Sequence, residues 1–303
     1  MFRKIIIYIK DPYYSIGYGI IDICPKLMSD KYYLSILWKM TMGYKLDWKN
    51  PKTFNEKLQW LKLYDRNPLY TTLVDKYRVK QWVADTIGEQ YVIPTLAVYN
   101  TVDEIDLAKL PDQFVLKCNH DSGSVVICRD KSKFDLEAAK KKLEKGLKCN
   151  FYWEAREWPY KNVKRCVFAE KYIQDFEDDG LVDYKFYCFD GMVDCVMACL
   201  DRHIKHPRFY FFDREWNLKR WNVWGEEAPD NFSLPMPKGL DKMFELASVL
   251  SKGIPFVRVD LYNIAGYILF GEMTFYPNGG FVLHILPETD SFFGSIIPSV
   301  INL

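Results

Sequence analysis

The stretch IPFVRVDLYNIAGYILFGEMTFYPNGG, residues 254–280, decides the reading of this chain. Val257, Val259 and Leu261 alternate with Arg258, Asp260 and Tyr262, the period of a half-buried strand. Residues 263–266 supply turn chemistry and residues 267–273 form a second apolar run, so the pattern predicts a hairpin. Each strand carries an acid where a neutral residue is usual: Asp260 on the first, Glu272 near the end of the second. Side chains facing each other across a ladder lie about 5 Å apart, and two carboxylates that close repel unless a cation sits between them. Mg²⁺ bound by one or two carboxylates plus nucleotide phosphates is the usual answer. Arg258, two residues before Asp260, points the same way and adds a fixed positive charge. The plainer alternative is a charged hairpin face closed by an Arg–carboxylate bridge.

Composition narrows the classes. With 303 residues the chain is long enough for two or three subdomains around a substantial core. Its 41 basic and 40 acidic residues nearly cancel, so no nucleic-acid partner is expected. Aromatic residues reach 17%, which suits a large core ahead of carbohydrate-facing surfaces. The eight Cys form no CxxC pair and mostly sit inside apolar runs, the usage of reduced thiols in a cytoplasmic protein. His203 and His206 have ligand spacing, but four His in total and no nearby thiolate pair argue against zinc. No stretch reaches the roughly 18 apolar residues of a spanning helix. The opening run IIIYI is too short for a signal peptide, is followed at once by Lys10 and Asp11, and has no small-residue cleavage site. It reads as a packed N-terminal segment, with a segment resting peripherally on a membrane as the alternative.

Along the chain, residues 1–48 are aromatic-rich and helical in pattern. In residues 50–68 Thr53 and Glu56 form a predicted capping box, followed by the apolar stripe Phe54, Leu58, Leu61 and Tyr64. A further helix ends at Gly88, and YVIPTLAVY reads as the strand after it. In LPDQFVLKCNHDSGSVVICRD, residues 110–130, a strand ends at Lys117, a polar loop spans residues 119–124, and a second strand returns. Such a loop presents backbone N–H groups to phosphate oxygens with a Lys beside it, although the Walker spacing is absent. A Lys-rich helix over residues 132–148 has the look of a solvated face. A strand then runs into Glu170-Lys171-Tyr172-Ile173, and residues 183–202 form a hairpin around Asp190-Gly191, with Asp183 and Lys185 on one face.

Taken in this order, the motifs resemble the ATP-grasp superfamily: Arg258-Val259-Asp260, a turn, an apolar strand ending in Gly271-Glu272, and the Pro277-Asn278-Gly279-Gly280 loop look like its closing metal-binding hairpin. Asn50-Pro51-Lys52-Thr53-Phe54-Asn55-Glu56-Lys57 resembles the opening signature of the TupA-like branch, associated with teichuronopeptide and capsular polysaccharide biosynthesis. The resemblance covers residues 48–285. It implies an α/β (α+β) ATP-grasp fold, two α+β subdomains clamping ATP after a mainly helical N-terminal region, with boundaries at 1–95, 96–180 and 181–303. It implies ATP and Mg²⁺ as cofactors, with Asp260 and Glu272 as metal ligands and Arg258 steadying the developing charge. The family's third ligand, usually Asn, falls at Thr274. Either Thr274 is a weaker oxygen ligand, or Asn278 reaches in, or a second metal is held loosely. For the nucleotide the resemblance points to Lys76 or Lys80 on a helix, to Lys117 with Asn119, Ser122, Gly123 and Ser124 in the flap, to Glu170, Lys171, Tyr172 and Ile173 in the adenine hinge, and to Asp183. Lys185 and Arg202 are its further phosphate contacts. Asp121 stands where a second Gly is expected, which stiffens the flap loop.

The implied chemistry is carboxylate activation: ATP phosphorylates a carboxylate-bearing sugar or amino-acid acceptor, and an amine donor displaces phosphate to form an amide. The rivals are a kinase acting on a sugar hydroxyl, a glycosyltransferase using Asp178-Asp179, and a non-catalytic ATP-binding subunit. Their products differ: ADP with phosphate, ADP with a phosphorylated sugar, or UDP.

Overall fold

A computed structural model describes residues 25–173, 182–200 and 207–298. Arg202, the Asp178-Asp179 pair, His203, His206 and residues 1–24 lie outside the described residues.

The N-terminal part is helical. Helix α1 (Asp30–Met42) is capped by Ser29, and α2 (Phe54–Tyr64) opens with the expected capping box: the Thr53 hydroxyl accepts from Glu56 N, while Glu56 Oε2 accepts from Thr53 N at 3.1 Å. Helices α3 (Leu69–Leu73) and α4 (Val79–Ile87) follow. Phe54, Leu58 and Leu61 of α2 and Val79 and Val83 of α4 belong to the main core, so these helices are built into the body of the molecule.

Two antiparallel sheets carry the rest. The smaller has the order β1 (Thr95–Tyr99), β4 (Val167–Lys171), β2 (Phe114–Cys118), β3 (Val125–Cys128). Helix α5 (Leu136–Lys148) covers one face of it through Leu143, and the short α6 (Tyr152–Ala155) leads back towards β4.

The larger sheet has the order β10 (Tyr267–Thr274), β9 (Val257–Ile264), β5 (Asp183–Phe189), β6 (Met192–Leu200), β7 (Arg208–Phe212), β8 (Leu218–Lys219). After the one-turn helix α7 (Val223–Glu227), α8 (Leu240–Ser251) packs on one face of this sheet through Met243, Phe244, Ala247 and Leu250. On the other side α9 (Pro287–Ile296) packs against α2, and Phe293 stacks on Tyr187 at 5.4 Å. A ring cluster of Phe54, Tyr187, Phe189, Phe256 and Phe293 sits within the main core. Core, not surface, absorbs those rings.

Candidate active site

The hairpin of residues 254–280 forms as β9 and β10, joined at Ala265-Gly266, both at positive φ (52° and 103°), as a tight two-residue turn requires. Its register breaks once, between Phe270 and Glu272. Phe270 pairs with Leu261 and Glu272 with Asp260, so Gly271 is the extra residue of a β-bulge. Without the bulge Glu272 would oppose Val259 and face the other side of the sheet. The bulge is therefore what brings the two acids together. It needs glycine, since a Cβ at position 271 would lie 2.9 Å from the Asp260 carbonyl oxygen.

Three cations meet these acids. Arg258 donates from Nε to Asp260 Oδ1 at 2.6 Å and from Nη2 to Asp260 Oδ2 at 2.7 Å. The same Nη2 lies 3.1 Å from Thr274 Oγ1 and 3.6 Å from Glu272 Oε1. Lys185, paired with Asp260 on the neighbouring strand β5, donates to Asp260 Oδ2 and Asp183 Oδ2, both at 2.5 Å. Lys76, in the turn between α3 and α4, reaches Glu272 Oε2 at 3.0 Å. Three carboxylates thus face three cations. Burial pushes Asp260 up, with Arg258 and Lys185 opposing. Burial also raises Glu272, but Lys76, Lys185 and Arg258 more than offset it and hold it well below the usual carboxylate range.

A second cluster belongs to the smaller sheet. Glu170 on β4 is buried and accepts from both Lys117 of β2 and Lys80 of α4, the latter at 2.7 Å. Burial raises Glu170 and the two lysines bring it below its ordinary value; burial lowers Lys80. The resemblance points Lys117 towards phosphate and Glu170 to a hinge; in the structure their side chains pair with each other.

The flap loop is organised differently from the sequence expectation. Asn119 is fully buried: its Oδ1 accepts from Cys166 N at 2.9 Å, and its Nδ2 donates to Asp75 Oδ2 and the Lys164 carbonyl. Its own carbonyl accepts from Lys76 N at 2.8 Å. Asn119 and Asp75 therefore form a bracket that sets the position of Lys76. Asp121 accepts from the Ser124 hydroxyl and backbone N–H, which braces the loop and leaves Ser122 and Gly123 exposed at its tip. Lys171 is exposed, its N–H donating to the Pro94 carbonyl; Tyr172 meets Arg129, and Ile173 is half-buried. Asn278 is exposed, on a loop where it, Gly279 and Gly280 all have positive φ (52°, 64° and 76°).

That loop shows what the sequence reading missed. Asn55, Gln59 and Lys62 lie at i, i+4, i+7 on α2, all buried, beside the apolar stripe. Val282 N donates to Asn55 Oδ1 at 2.7 Å, and Gln59 Nε2 donates to the Gly280 carbonyl at 2.7 Å. Lys62 Nζ donates to the Gly279 carbonyl at 2.5 Å, to the Ala155 carbonyl and to Gln59 Oε1. Burial pushes Lys62 down, while three accepting oxygens match the three N–H bonds of an ammonium. Polar residues at core spacing on an amphipathic helix were the available signal.

The donor set suits a divalent cation. One guanidinium nitrogen already stands between Asp260 and Glu272, so the space between them accepts positive charge. Among the described residues no group of three or more His, Cys, Asp or Glu converges on a metal position, so phosphate or water oxygens would complete the shell, as Mg²⁺ sites usually require. Among the described residues no helix is long and apolar enough to cross a membrane.

The sequence model of the TupA-like ATP-grasp family matches residues 56–298. No curated protein matches the chain. Among solved structures it resembles the ATP-grasp ligase PsnB complexed with a minimal precursor, at 11% identity and a TM-score of 0.39, over 73% of this chain and 60% of that one. It also resembles D-alanine–D-alanine ligase from Bacillus anthracis complexed with ATP, at 17% identity and a TM-score of 0.44, over 75% of this chain and 63% of that one. D-cycloserine synthetase DcsG matches at 17% identity and a TM-score of 0.42, over 76% of this chain and 70% of that one. The chain thus spans about three fifths of the length of the first two.

Proposed function

Since the chain belongs to the TupA-like ATP-grasp family, we propose that it is an ATP-dependent ligase, joining a carboxylate to an amine through an acylphosphate during assembly of a cell-surface polysaccharide or polysaccharide–peptide polymer. The observation that carries this reading is the convergence of Lys76, Lys185 and Arg258 on Asp183, Asp260 and Glu272. The cluster is self-neutral, so it can separate in two directions when a nucleotide arrives, its lysines towards phosphate and its carboxylates towards a metal. Asp260 and Glu272 would hold Mg²⁺, with Thr274 or Asn278 as further oxygen donors. When bound, that ion supplies neutralisation of the phosphate charge.

The chain's own groups do the positioning and electrostatics that dominate phosphoryl transfer. Lys76, Lys80 and Lys117 provide point charges for phosphate, and the exposed tip Ser122-Gly123 offers backbone donors. Glu170 holds Lys80 and Lys117 side by side through its two carboxylate oxygens. Lys171, Tyr172 and Ile173 present backbone at the hinge for the adenine edge. Arg258 and Lys185, joined in this reading by Arg202, stabilise charge on the transferring group. A cytoplasmic location belongs to the same reading, supported by seven free cysteines among the described residues, six of them buried.

Hydroxylamine intercepts acylphosphates, which supplies the test. The chain is incubated with Mg·ATP, hydroxylamine and a panel of uronic acids and amino acids. The ligase reading predicts ADP, inorganic phosphate and a hydroxamate from one member. A phosphorylated sugar with no hydroxamate would overturn it in favour of a kinase.

A further inference from the structure

One face of the α1–α2 pair takes no part in the site above. The two helices run antiparallel: Lys31 at the start of α1 lies 3.4 Å from the Tyr64 hydroxyl at the end of α2, and Tyr44 beyond α1 reaches Glu56 in the first turn of α2. Trp60 and Tyr64, one turn apart with ring centroids at 4.6 Å, fall on the opposite side of α2 from Asn55, Gln59 and Lys62. Trp48 donates from Nε1 to Ser35 Oγ at 2.9 Å, and the Lys31 ammonium stands 5.8 Å from its ring centroid. Trp48, Trp60 and Tyr64 are thus gathered around Lys31. Beside them Tyr32 is 58% exposed, Tyr64 47%, and Leu27, just before α1, 84%. Large side chains left in water together on adjoining helices mark a contact surface.

Charge identifies what it meets. Residues 1–69 hold 12 of the 41 basic and 6 of the 40 acidic side chains, a net +6, and the remaining residues carry −5. The four acids of the described part of this segment are used internally. Asp30 accepts from Arg66 and Tyr152, Asp47 from Lys49 N, Glu56 from Lys52 N, and Asp65 from the Tyr70 hydroxyl. Lys26, Lys45, Lys49 and Lys52 are exposed and meet no carboxylate among the described residues. Lys26 adjoins Leu27, Lys49 adjoins Trp48, and Lys45 and Lys52 lie on the connection between the helices. Upstream, the sequence places Ile5, Ile6, Ile7, Tyr8 and Ile9 between Arg3-Lys4 and Lys10, and this stretch joins the described chain at Pro25, two residues before Leu27. The same mixture of apolar, aromatic and basic side chains therefore continues on both sides of Pro25.

We propose that this face docks on a bilayer surface carrying anionic lipid. Tyr and Trp place an apolar ring and a polar tip at the headgroup level. Lysine stems lie along apolar surface while their ammonium groups reach lipid phosphate. A soluble polyanion would engage the lysines and leave Leu27 and Tyr32 in water, whereas a bilayer interface takes both kinds of group. Because the inner side of α2 grips the loop after β10, docking through its outer side holds the candidate active site above the membrane surface.

The test is co-sedimentation of the full chain with vesicles of phosphatidylcholine alone or with phosphatidylglycerol, in low and high salt, with soluble polyphosphate as the competing polyanion. Binding is expected to the phosphatidylglycerol vesicles only, and to weaken in high salt. Lys26→Gln/Lys49→Gln should lower vesicle affinity on the order of twentyfold, about fivefold for each basic residue at an anionic surface. Tyr32→Ser/Tyr64→Ser should lower it about tenfold or more, through lost apolar burial, and leave polyphosphate binding unchanged. Should the tyrosine pair melt early, Leu27→Ser decides, with a loss of about threefold or more expected. No binding of wild type to phosphatidylglycerol vesicles, or equal binding to phosphatidylcholine, overturns the proposal. Vesicle binding that the lysine variant loses and the tyrosine and leucine variants keep overturns it in favour of a soluble polyanion.

Discussion

Replacing Asp260 by Asn separates two accounts of the hairpin. Read from the strand pattern, two facing carboxylates repel in the absence of metal, so losing one should leave the free protein as stable or slightly more so. The structure reverses that expectation. Asp260 is 1% exposed and accepts three charge-assisted bonds, two from Arg258 and one from Lys185. An Asn keeps the shape but cannot balance two cations, and its amide N–H₂ would face one of them. Breaking a buried pair by removing one partner costs about 3–5 kcal/mol. The lower half of that range applies, since Lys185 keeps Asp183 and Arg258 keeps Thr274 and Glu272. Each kcal/mol lowers the melting temperature by about 1.5–2 °C in a chain of 303 residues, so a fall on the order of 5–8 °C is expected. The assay is thermal melting followed by near-ultraviolet circular dichroism, with and without Mg²⁺ and AMPPNP. The variant should melt early and gain no protection from the ligand. A melting temperature equal to or above wild type without ligand would refute the self-neutral cluster, and a wild-type ligand shift in the variant would refute the metal role.

Lys117→Ala should leave the fold intact, because Glu170 keeps Lys80, while AMPPNP affinity measured by calorimetry falls about tenfold to a hundredfold; unchanged affinity in a folded variant removes Lys117 from the phosphate site. Gly271→Ala forces a methyl to within 2.9 Å of the Asp260 carbonyl oxygen and should cost about 1–3 kcal/mol in urea unfolding, together with the nucleotide-induced stabilisation. Glu272 is held below its ordinary value of 4.5, so its ion pairs contribute stability that is present above that pH and drains away as pH falls towards the depressed folded value. In acid melts Glu272→Gln should therefore lose less stability below about pH 4.5 than wild type, and parallel acid curves would contradict the assignment.

Much of the fold was legible because its signals are local. The capping box at Thr53–Glu56, the Asp190-Gly191 turn and the alternation around Val257–Leu261 each depend on a few neighbouring residues, and each forms as read. What escaped depends on register and on elements distant in sequence. Asp260 and Glu272 were paired correctly for an incomplete reason, because only the bulge at Gly271 places them on one face, and a glycine inside a strand was the available hint. Two of their three counter-cations come from β5 and from the turn at Lys76, and no pattern within the hairpin announces those two, whereas Arg258 stands in the hairpin itself. Asn119 belongs to a polar loop in sequence, yet its side chain is used up in fixing Asp75, Lys164 and Cys166. Lys62 and Gln59 stand outside the apolar stripe of α2, yet they are buried and hold the backbone of the loop after β10. Helical spacing shows which residues share a face, but not what that face packs against.

The central claim is that Asp260 and Glu272 form a metal site which brings nucleotide phosphate to Arg258, Lys185 and Lys76. Calorimetric titration of AMPPNP with Mg²⁺ and with EDTA tests it most directly, in wild type and in the Asp260→Asn/Glu272→Gln double variant. The account predicts that Mg²⁺ tightens AMPPNP binding to wild type by about tenfold or more, the worth of one or two charge-assisted contacts, and that the double variant shows no such dependence while retaining a cooperative melt. Equal Mg²⁺ dependence in both proteins would contradict it.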